Sequence, residues 1–283
     1  MDVSLIAYKH PGALSLASLA FEAGVLTAYD ATDITNASPA AIKKWYKRLP
    51  RPLVKPTKIA CFLSPAYYQF MAMAKPVMPA DEICQSLPFL LKDLLPNASD
   101  MAFDYVDLIA GGGKKMMTVA TRMGEMVDFY HLMEKAQLKP AVISIAEYAY
   151  VALAQKNRQK AARPFSGVLY QSAESTRVII TQGMQWVCAN ILSRQSVQPD
   201  AAADHFAQMV AHLEKMMLDV SIKPDAIDWF YCGDDDYFAG LSATMTDAFA
   251  QTPVSLSVND VGLNPLLLGA AYCCVEGGVY AAT

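Results

Sequence analysis

A glycine-rich run is the first part of the sequence whose residue types could do chemistry. Residues 111–114, Gly-Gly-Gly-Lys, offer backbone N–H groups and a lysine, as a phosphate-binding loop does. The run lacks the spacing and the Ser or Thr of a Walker motif, and it joins two predicted strands instead of opening a helix. Glu174 is a second candidate, as a general base, but a single carboxylate in a loop is usually solvated surface. No pairing of nucleophile and base emerges, and the sequence predicts that the protein is not an enzyme.

Histidines and cysteines are the usual protein ligands of a structural or catalytic metal. His205 and His212 lie seven residues apart on a predicted helix, whereas a metal-binding pair prefers a spacing of four. The six cysteines include no CxxC pair and stand in apolar surroundings, which predicts buried free thiols. The adjacent Cys273 and Cys274 are given no redox role, because a reducing cytoplasm disfavours a disulfide. The sequence predicts no metal site.

Composition limits the kinds of partner that the chain can have. Its net charge of -4 argues against DNA or RNA, because nucleic-acid-binding proteins usually carry a clustered basic face. Hydrophobic residues make up 54% of the chain, but no uncharged stretch reaches the about 20 apolar residues that span a bilayer. The first residues show no basic segment followed by an apolar one, as a secretory signal would. We therefore expect a cytoplasmic protein without a membrane span.

The elements that must position any site follow one order in the first half of the chain. Glycine-containing turns separate three short strands, and Ser38 before Pro39 marks the start of a helix. Apart from one segment, the order is βββαβαβα. The predicted elements are strands at 3–8, 14–20 and 25–29, a helix at 40–48, a strand at 58–63, a helix at 65–74, a strand at 141–145 and a helix at 146–155.

The second half of the sequence repeats this order. Gln182 and Gly183 supply a hairpin turn, and Asp204 is predicted to cap a helix with apolar residues on one face. Two copies of one topology predict two lobes. The predicted elements are strands at 167–170, 176–181 and 184–191, a helix from residue 204, a strand at 227–231, a helix at 237–249, a strand at 254–258 and a helix at 265–274.

The segment left over in the first half predicts a small inserted unit with the order αββα. The fold class is therefore α/β, with two RNase H-like lobes of the kind that face each other across a nucleotide cleft in actin, hexokinase and Hsp70. We expect the first lobe to comprise residues 1–75 and 141–160, the insertion residues 76–140, and the second lobe residues 161–283.

Several short motifs carry a resemblance to a known family. They are Lys75–Ile83, Asp93–Pro96, Phe103–Tyr105, Ala136–Pro140, Glu147–Ala149 and Ala173–Thr176. In this order and spacing, over about residues 55–275, the chain resembles the PilM and MshI family. These are actin-like cytoplasmic components of type IV and MSHA pilus biogenesis, related to the cytoplasmic domain of the type II secretion protein GspL.

The resemblance implies a platform protein that docks the N-terminal tail of an inner-membrane partner, a PilN-like protein. In the family, the insertion and the adjoining first lobe supply the docking surface. At the start of the first helix of the insertion, the candidates are Met78, Pro79, Ile83 and Leu87. Ile83 and Leu87 also have the spacing of ordinary core positions. Self-association is a further expectation.

Actin-like ATPases bind phosphates in the first hairpin of each lobe, where the pattern Asp-x-Gly places a carboxylate near magnesium. In the first lobe, Tyr8 and His10 stand in the equivalent stretch, and Pro11 removes a backbone donor. In the second lobe, the match that ends at Thr176 places Tyr170 and Ser172 where Asp and Gly would stand. A phenol cannot replace a carboxylate as a magnesium ligand.

The adenosine loop of such proteins usually shows Gly-Gly after a strand. Here Gly233 is followed by three aspartates, which do not favour a polyanion. The sequence thus predicts a degenerate nucleotide site, no cofactor and a scaffold function. The alternatives are a protein that binds ATP as a switch, with weak or no hydrolysis, and a small-molecule kinase, for which no catalytic acid stands in a convincing context.

Overall fold

The chain opens with an antiparallel meander whose two turns each contain a glycine. Gly12 and Gly24 have φ angles of 79° and 76°, which glycine adopts without a steric penalty. The computed structural model describes residues 2–54, 56, 58–110, 112, 114–158, 163–171, 175–193, 202–233, 235–256 and 262–275. Within these residues the elements follow the predicted order, except for one helix that is a strand.

The strands are β1 (Asp2–His10), β2 (Ala13–Glu22), β3 (Val25–Thr35), β4 (Lys58–Leu63), β5 (Tyr68–Ala74), β6 (Met101–Leu108), β7 (Lys115–Arg122), β8 (Val142–Ile145), β9 (Phe165–Gln171), β10 (Ser175–Gln182), β11 (Gln185–Ser193), β12 (Ile227–Cys232) and β13 (Val254–Ser255). The helices are α1 (Pro39–Tyr46), α2 (Ala80–Leu90), α3 (Met123–Lys135), α4 (Ala146–Asn157), α5 (Ala202–Asp219), α6 (Asp235–Phe249) and α7 (Pro265–Val275).

Two five-stranded sheets share one strand order. The first runs β3-β2-β1-β4-β8 and the second β11-β10-β9-β12-β13. In each sheet the opening three strands are antiparallel and the last two are parallel to the first strand of the meander. The duplication predicted from the sequence is therefore confirmed, and each sheet forms the centre of one lobe.

Two helices form the layer between these sheets. The helix α4, from the first half of the chain, packs on β9 and β10, while α7, from the second half, packs on β1, β2 and β4. The two helices approach closely at Gly269, where a Cβ atom would lie 2.1 Å from the carbonyl oxygen of Ala149. Each lobe thus contributes a helix to the sheet of the other, and the largest hydrophobic core runs through both lobes.

The segment 65–74, predicted as a helix, is instead a short 3-10 turn at Pro65–Tyr67 followed by the strand β5. Its buried and exposed residues alternate, with Tyr68 and Phe70 buried and Gln69 exposed, which is the periodicity of a strand. β5 pairs with β7 in a third sheet of order β5-β7-β6. The position beside α1 is taken by α3, which follows that sheet.

The remaining differences concern the ends of elements. Ser38 is confirmed as the cap of α1, because its Oγ accepts a hydrogen bond from the N–H of Ala41 at 3.2 Å. α5 begins at Ala202, so Asp204 lies in its first turn and does not precede it. α6 begins at Asp235, two residues before the predicted start. The predicted strand at 254–258 is observed at Val254–Ser255, and its last two residues lie outside the described ranges.

Candidate functional site

A cluster of tyrosines lies where the two lobes meet. Tyr8, near the end of β1, and Tyr170, near the end of β9, occupy corresponding positions beside the first hairpin of each lobe. Their hydroxyl groups influence each other's pKa, and so do Ser64 beside Tyr8 and Tyr150 beside Tyr170, so these four side chains lie close together. The rings of Tyr150 and Tyr170 stack with centroids 4.3 Å apart. Phenols from both lobes therefore meet at the ends of β1 and β9.

These phenols stay protonated at neutral pH. Burial, reinforced by nearby acidic groups, raises the pKa of Tyr8, Tyr150 and Tyr170. Neutral hydroxyls can exchange hydrogen bonds with one another, but they supply no negative charge for a metal ion. The cluster joins the lobes without forming a cation site.

The other predicted loop residues have structural partners. His10 Nε2 lies 3.1 Å from Ser15 Oγ, which donates a hydrogen bond to Asp33. Thr176 is buried in β10 with 1% of its surface exposed. A Cβ atom at Gly233 would lie 2.5 Å from the hydroxyl oxygen of Tyr231, so this glycine permits close packing. Ser172 lies outside the described residues.

A buried ion pair crosses from α4 to the second lobe. Arg177 on β10 bonds to Glu147, and Tyr68 of β5 donates its hydroxyl proton to the same carboxylate. Glu147 has no exposed surface and Arg177 has 5%. Burial alone would lower the pKa of Arg177, but the Glu147 carboxylate raises it, so the guanidinium stays charged. The guanidinium also lies 4.9 Å from the centre of the Tyr68 ring.

The third sheet, of order β5-β7-β6, is called the inserted sheet below. It contacts the second lobe around Trp186 of β11. The Trp186 ring lies 5.7 Å from the ring of Phe70 on β5 and 5.3 Å from that of Tyr148 on α4. Beyond the end of β6, the N–H of Ile109 donates to the carbonyl of Trp186 at 2.9 Å, and Ala110 donates to the next carbonyl. The insertion is thus bonded to both lobes.

Sequence reasoning did not identify Glu147, Arg177 or Trp186 as residues of this interface. A usable signal was present, because Glu147 and Arg177 are single charges within otherwise apolar stretches of a helix and a strand. A charge in such a position is buried only when it is paired.

An open groove lies beside the contacts between the inserted sheet and the two lobes. It has a volume of about 270 Å³ and lies between the first-lobe sheet and the inserted sheet. Its lining includes residues 102–106 of β6 and 142–145 of β8. The side chains of successive residues in a strand point to opposite faces of the sheet. Since consecutive residues of β6 and of β8 line the groove, the groove runs along the edges of these strands. Both strands lie at the edge of their sheets.

The β8 edge presents backbone groups to the groove. The N–H of Ala141 donates to the carbonyl of Ile59 on the β4 side at 2.8 Å. Since N–H directions alternate along a strand, Val142 and Ser144 direct their N–H and C=O groups away from β4. These groups are available to an added strand.

The groove lining is mostly apolar, and one lining residue is charged. Of its lining residues, Asp104 of β6 is the only charged one, and it shares a face with Ala102 and Val106. Phe103 and Tyr105 point the other way, into the cluster around α2. The remaining lining residues are Leu63, Tyr68, Val119, Thr121, Met126, Val142, Ile143, Ser144, Ile145 and Tyr148.

The residues predicted to dock a partner lie at a different place. Ile83 and Leu87 have no exposed surface and form the core between α2 and the inserted sheet. Their helical spacing is that of a core stripe, and their docking role stays a prediction. Met78 is half-buried against that core, and Pro79 is exposed before α2.

The cysteines and histidines have ordinary surroundings. All six thiols are free, and all but the half-buried Cys84 are buried. Burial raises the pKa of Cys188 to about 12, which makes it a poor nucleophile. His205 Nε2 lies 2.7 Å from the Tyr237 hydroxyl, and His212 bonds to Asn190. Within the described ranges there is no group of three or more potential metal ligands, and no helix is long and apolar enough to span a membrane.

In comparisons of sequence, no protein-family model and no curated protein matches the chain. Solved structures do match. One described as the PilM-PilN type IV pilus biogenesis complex has a TM-score of 0.64 at 14% identity, covering 97% of this chain and 98% of that one. A protein of Bacteroides thetaiotaomicron VPI-5482, described as having an actin-like ATPase fold and unknown function, has a TM-score of 0.57 at 8% identity, covering 96% of each chain.

The cytoplasmic domain of EpsL, an inner membrane component of the type II secretion system of Vibrio cholerae, has a TM-score of 0.47 at 10% identity, covering 73% of this chain and 75% of that one. The first two likenesses extend over nearly all of both chains. They show that this chain has the actin-like fold predicted from its sequence. At such identities a likeness shows the fold and leaves the activity to be argued from the site.

Proposed function

We propose that this chain is a scaffold protein of pilus assembly that binds the cytoplasmic tail of a PilN-like inner-membrane protein in the groove between β8 and β6. In this proposal it works at the cytoplasmic side of the inner membrane, and the MshI-like motifs favour the MSHA type of pilus. The observation that carries the proposal is the groove itself, a mostly apolar channel bordered by two edge strands, whose outer edges pair with no other strand among the described residues.

Unpaired strand edges determine the form of the ligand. An extended peptide can add a strand to such an edge, where backbone hydrogen bonds supply affinity and side-chain pockets supply specificity. The outward N–H and C=O groups of Val142 and Ser144 are one such edge, and apolar residues of β6 and β7 offer the pockets. An unstructured tail can meet both requirements. The likeness to a structure described as a PilM-PilN complex supports this choice of partner.

The cleft between the lobes has a different role in this proposal. We infer that it holds the lobes together and takes no ATP. In the fold, a bound nucleotide would place its phosphates between the two first hairpins, close to Tyr8 and Tyr170. Neither residue offers a carboxylate for magnesium. A nucleotide switch would have to separate these tyrosines and the Glu147–Arg177 pair, and no observation in the described residues favours it.

Proline at position 144 tests the mode of binding. Proline has no N–H, and at a sheet edge it removes one donor without disturbing the ladder on the other side. We expect Ser144→Pro to weaken binding of a synthetic peptide with the tail sequence of the organism's PilN-like protein by about tenfold, from the lost hydrogen bond and the added ring. The measurement is fluorescence anisotropy with labelled peptide.

Ser144→Ala is the matched control, because it removes only the hydroxyl and should bind the tail as the wild type does. Circular dichroism of both variants checks that the protein still folds. Equal affinity of the proline variant and the wild type would show that the tail does not pair with β8. Absence of any binding to the wild-type protein would contradict the proposed function itself.

Calorimetric titration with ATP and ADP, with and without Mg²⁺, tests the cleft. We expect no heat of binding and no shift of the unfolding temperature, because a ligand stabilises a protein only when it binds the folded state. Micromolar binding would contradict this expectation, and it would mean that the tyrosine contact opens. The tail peptide serves as the positive control, since it should raise the unfolding temperature of the same preparation.

A further inference from the structure

The single charge of the groove lies on its β6 side. Asp104 pairs across the inserted sheet with Val119, and its neighbours on the same face are Ala102 and Val106. A carboxylate among such residues loses part of its hydration, and this is unfavourable unless another group compensates it. Asp104 is nevertheless exposed in the free protein, so its carboxylate keeps part of its hydration until a ligand covers it.

No described residue compensates this charge with an ion pair. The nearby cation on the inserted sheet, Lys75, bonds to Asp107 at 2.7 Å, on the opposite face of β6 from Asp104. The hydrogen bond to Asp104 comes from the backbone N–H of Tyr105 at 2.8 Å. Desolvation raises the pKa of the Asp104 carboxyl although the side chain reaches the surface, and its charge contributes to the raised pKa of the Tyr148 phenol.

From the groove and its unpaired carboxylate we infer that the docked segment carries a lysine or arginine side chain that pairs with Asp104. The inference rests on the proposed function, since it concerns the ligand of the same groove. An ion pair in apolar surroundings is stronger than one in water, so a single cation at the right position distinguishes one extended segment from another. Cytoplasmic segments next to membrane spans are rich in lysine and arginine, which agrees with a membrane-anchored partner.

The cation has two possible sources, a side chain or the free amino group at the start of a tail. A side chain fits better, because a strand that runs along β8 and β6 presents side chains to both walls at intervals of two residues. The probe is therefore the tail peptide of the organism's PilN-like protein, prepared with a free and with an acetylated N-terminus. In a further set, each lysine is replaced by glutamine and each arginine by citrulline.

The experiment is a double-mutant cycle measured by anisotropy. Asp104→Asn keeps the size of the side chain and removes its charge. We expect it to weaken binding of the unmodified tail by about tenfold, the scale of a partly desolvated ion pair. We expect neutralisation of one particular basic residue of the tail to weaken binding to the wild type equally, and to have no further effect on the Asp104→Asn protein. Acetylation should change nothing.

Asp107→Asn is the control variant, since it makes the same change on the same strand outside the groove, and it should bind the tail normally. If the tail binds but every neutralised peptide loses the same affinity for the wild type and for Asp104→Asn, the inference is overturned and the proposed function stands. If acetylation alone abolishes the effect of Asp104→Asn, a terminal amine makes the contact and the side-chain assignment is wrong. If the wild type binds no tail, the proposed function fails and the inference fails with it.

Discussion

Replacing Glu147 by glutamine should lower the free energy of unfolding by about 3–5 kcal/mol, the usual effect of removing one partner of a buried ion pair. Glutamine has the shape of glutamate, so the variant creates no cavity. It leaves the guanidinium of Arg177 charged, with 5% of the residue exposed and no opposite charge bonded to it. The Nε atom of Arg177 already lacks a hydrogen-bond partner among the described residues. The loss should appear in urea unfolding followed by circular dichroism.

A second variant separates the loss of the pair from the loss of packing. Replacing both partners, with Glu147→Leu and Arg177→Met, removes the uncompensated charge, and adding Tyr68→Phe removes the hydroxyl that donates to Glu147. The triple variant should recover most of the lost stability, since apolar residues often replace a buried pair at little cost. The exposed pair of Lys75 and Asp107 is the comparison, and Asp107→Asn should change the free energy of unfolding by less than about 1 kcal/mol. A Glu147→Gln protein as stable as the wild type would mean that water reaches the guanidinium.

Much of the fold could be predicted because its signals are local. Alternating strands, glycine turns and a capped helix are encoded within ten residues of sequence, and two copies of one order predicted two lobes. The segment 65–74 was mispredicted because its alanines and methionines favour a helix, while the pairing that makes it a strand comes from β7, with Phe70 opposite Val119. Distant pairing of this kind overrides local preference.

Part of the candidate site could also be predicted from local sequence. The position of Tyr8 followed from the predicted strand order and that of Tyr170 from the family match that ends at Thr176, but Tyr150, which stacks on Tyr170, comes from α4 and carries no hairpin signal. Ile83 is buried in the core beneath α2, because an apolar residue at helical spacing predicts a buried face without saying what covers it. The groove itself depends on two strand edges that are about 40 residues apart in the chain, and only the fold brings them together.

The groove and the junction between the lobes share side chains. Tyr68 lines the groove and bonds to Glu147, while Tyr148 lines the groove and packs on Trp186 of the second lobe. The same side chains therefore connect one wall of the groove to the second lobe. This arrangement suits a protein that presents a preformed surface to a flexible tail, because the tail then bears most of the entropy lost on binding.

The packing of α4 against α7 should make Gly269 nearly irreplaceable. Gly269→Ala would place its Cβ 2.1 Å from the carbonyl oxygen of Ala149, and a backbone atom in a buried helix cannot turn aside as a side chain can. The helices would have to separate, and with them the two sheets that they join. We expect a loss of about 3 kcal/mol in the free energy of unfolding, even though alanine favours a helix over glycine by about 1 kcal/mol.

Gly124→Ala is the matched control for this variant. Gly124 is also helical, in α3, and a Cβ atom there would meet nothing within 4 Å. The same substitution should therefore stabilise the protein by about 0.5–1 kcal/mol, through helix propensity and the smaller entropy of the unfolded chain. If urea unfolding shows that Gly269→Ala lowers the free energy of unfolding and Gly124→Ala raises it, then close helix contact, and not glycine itself, decides the outcome. If both variants were stabilised, α4 and α7 would have room to move apart, and the lobes would not be held at the fixed distance that the buried pair and the tyrosine cluster require.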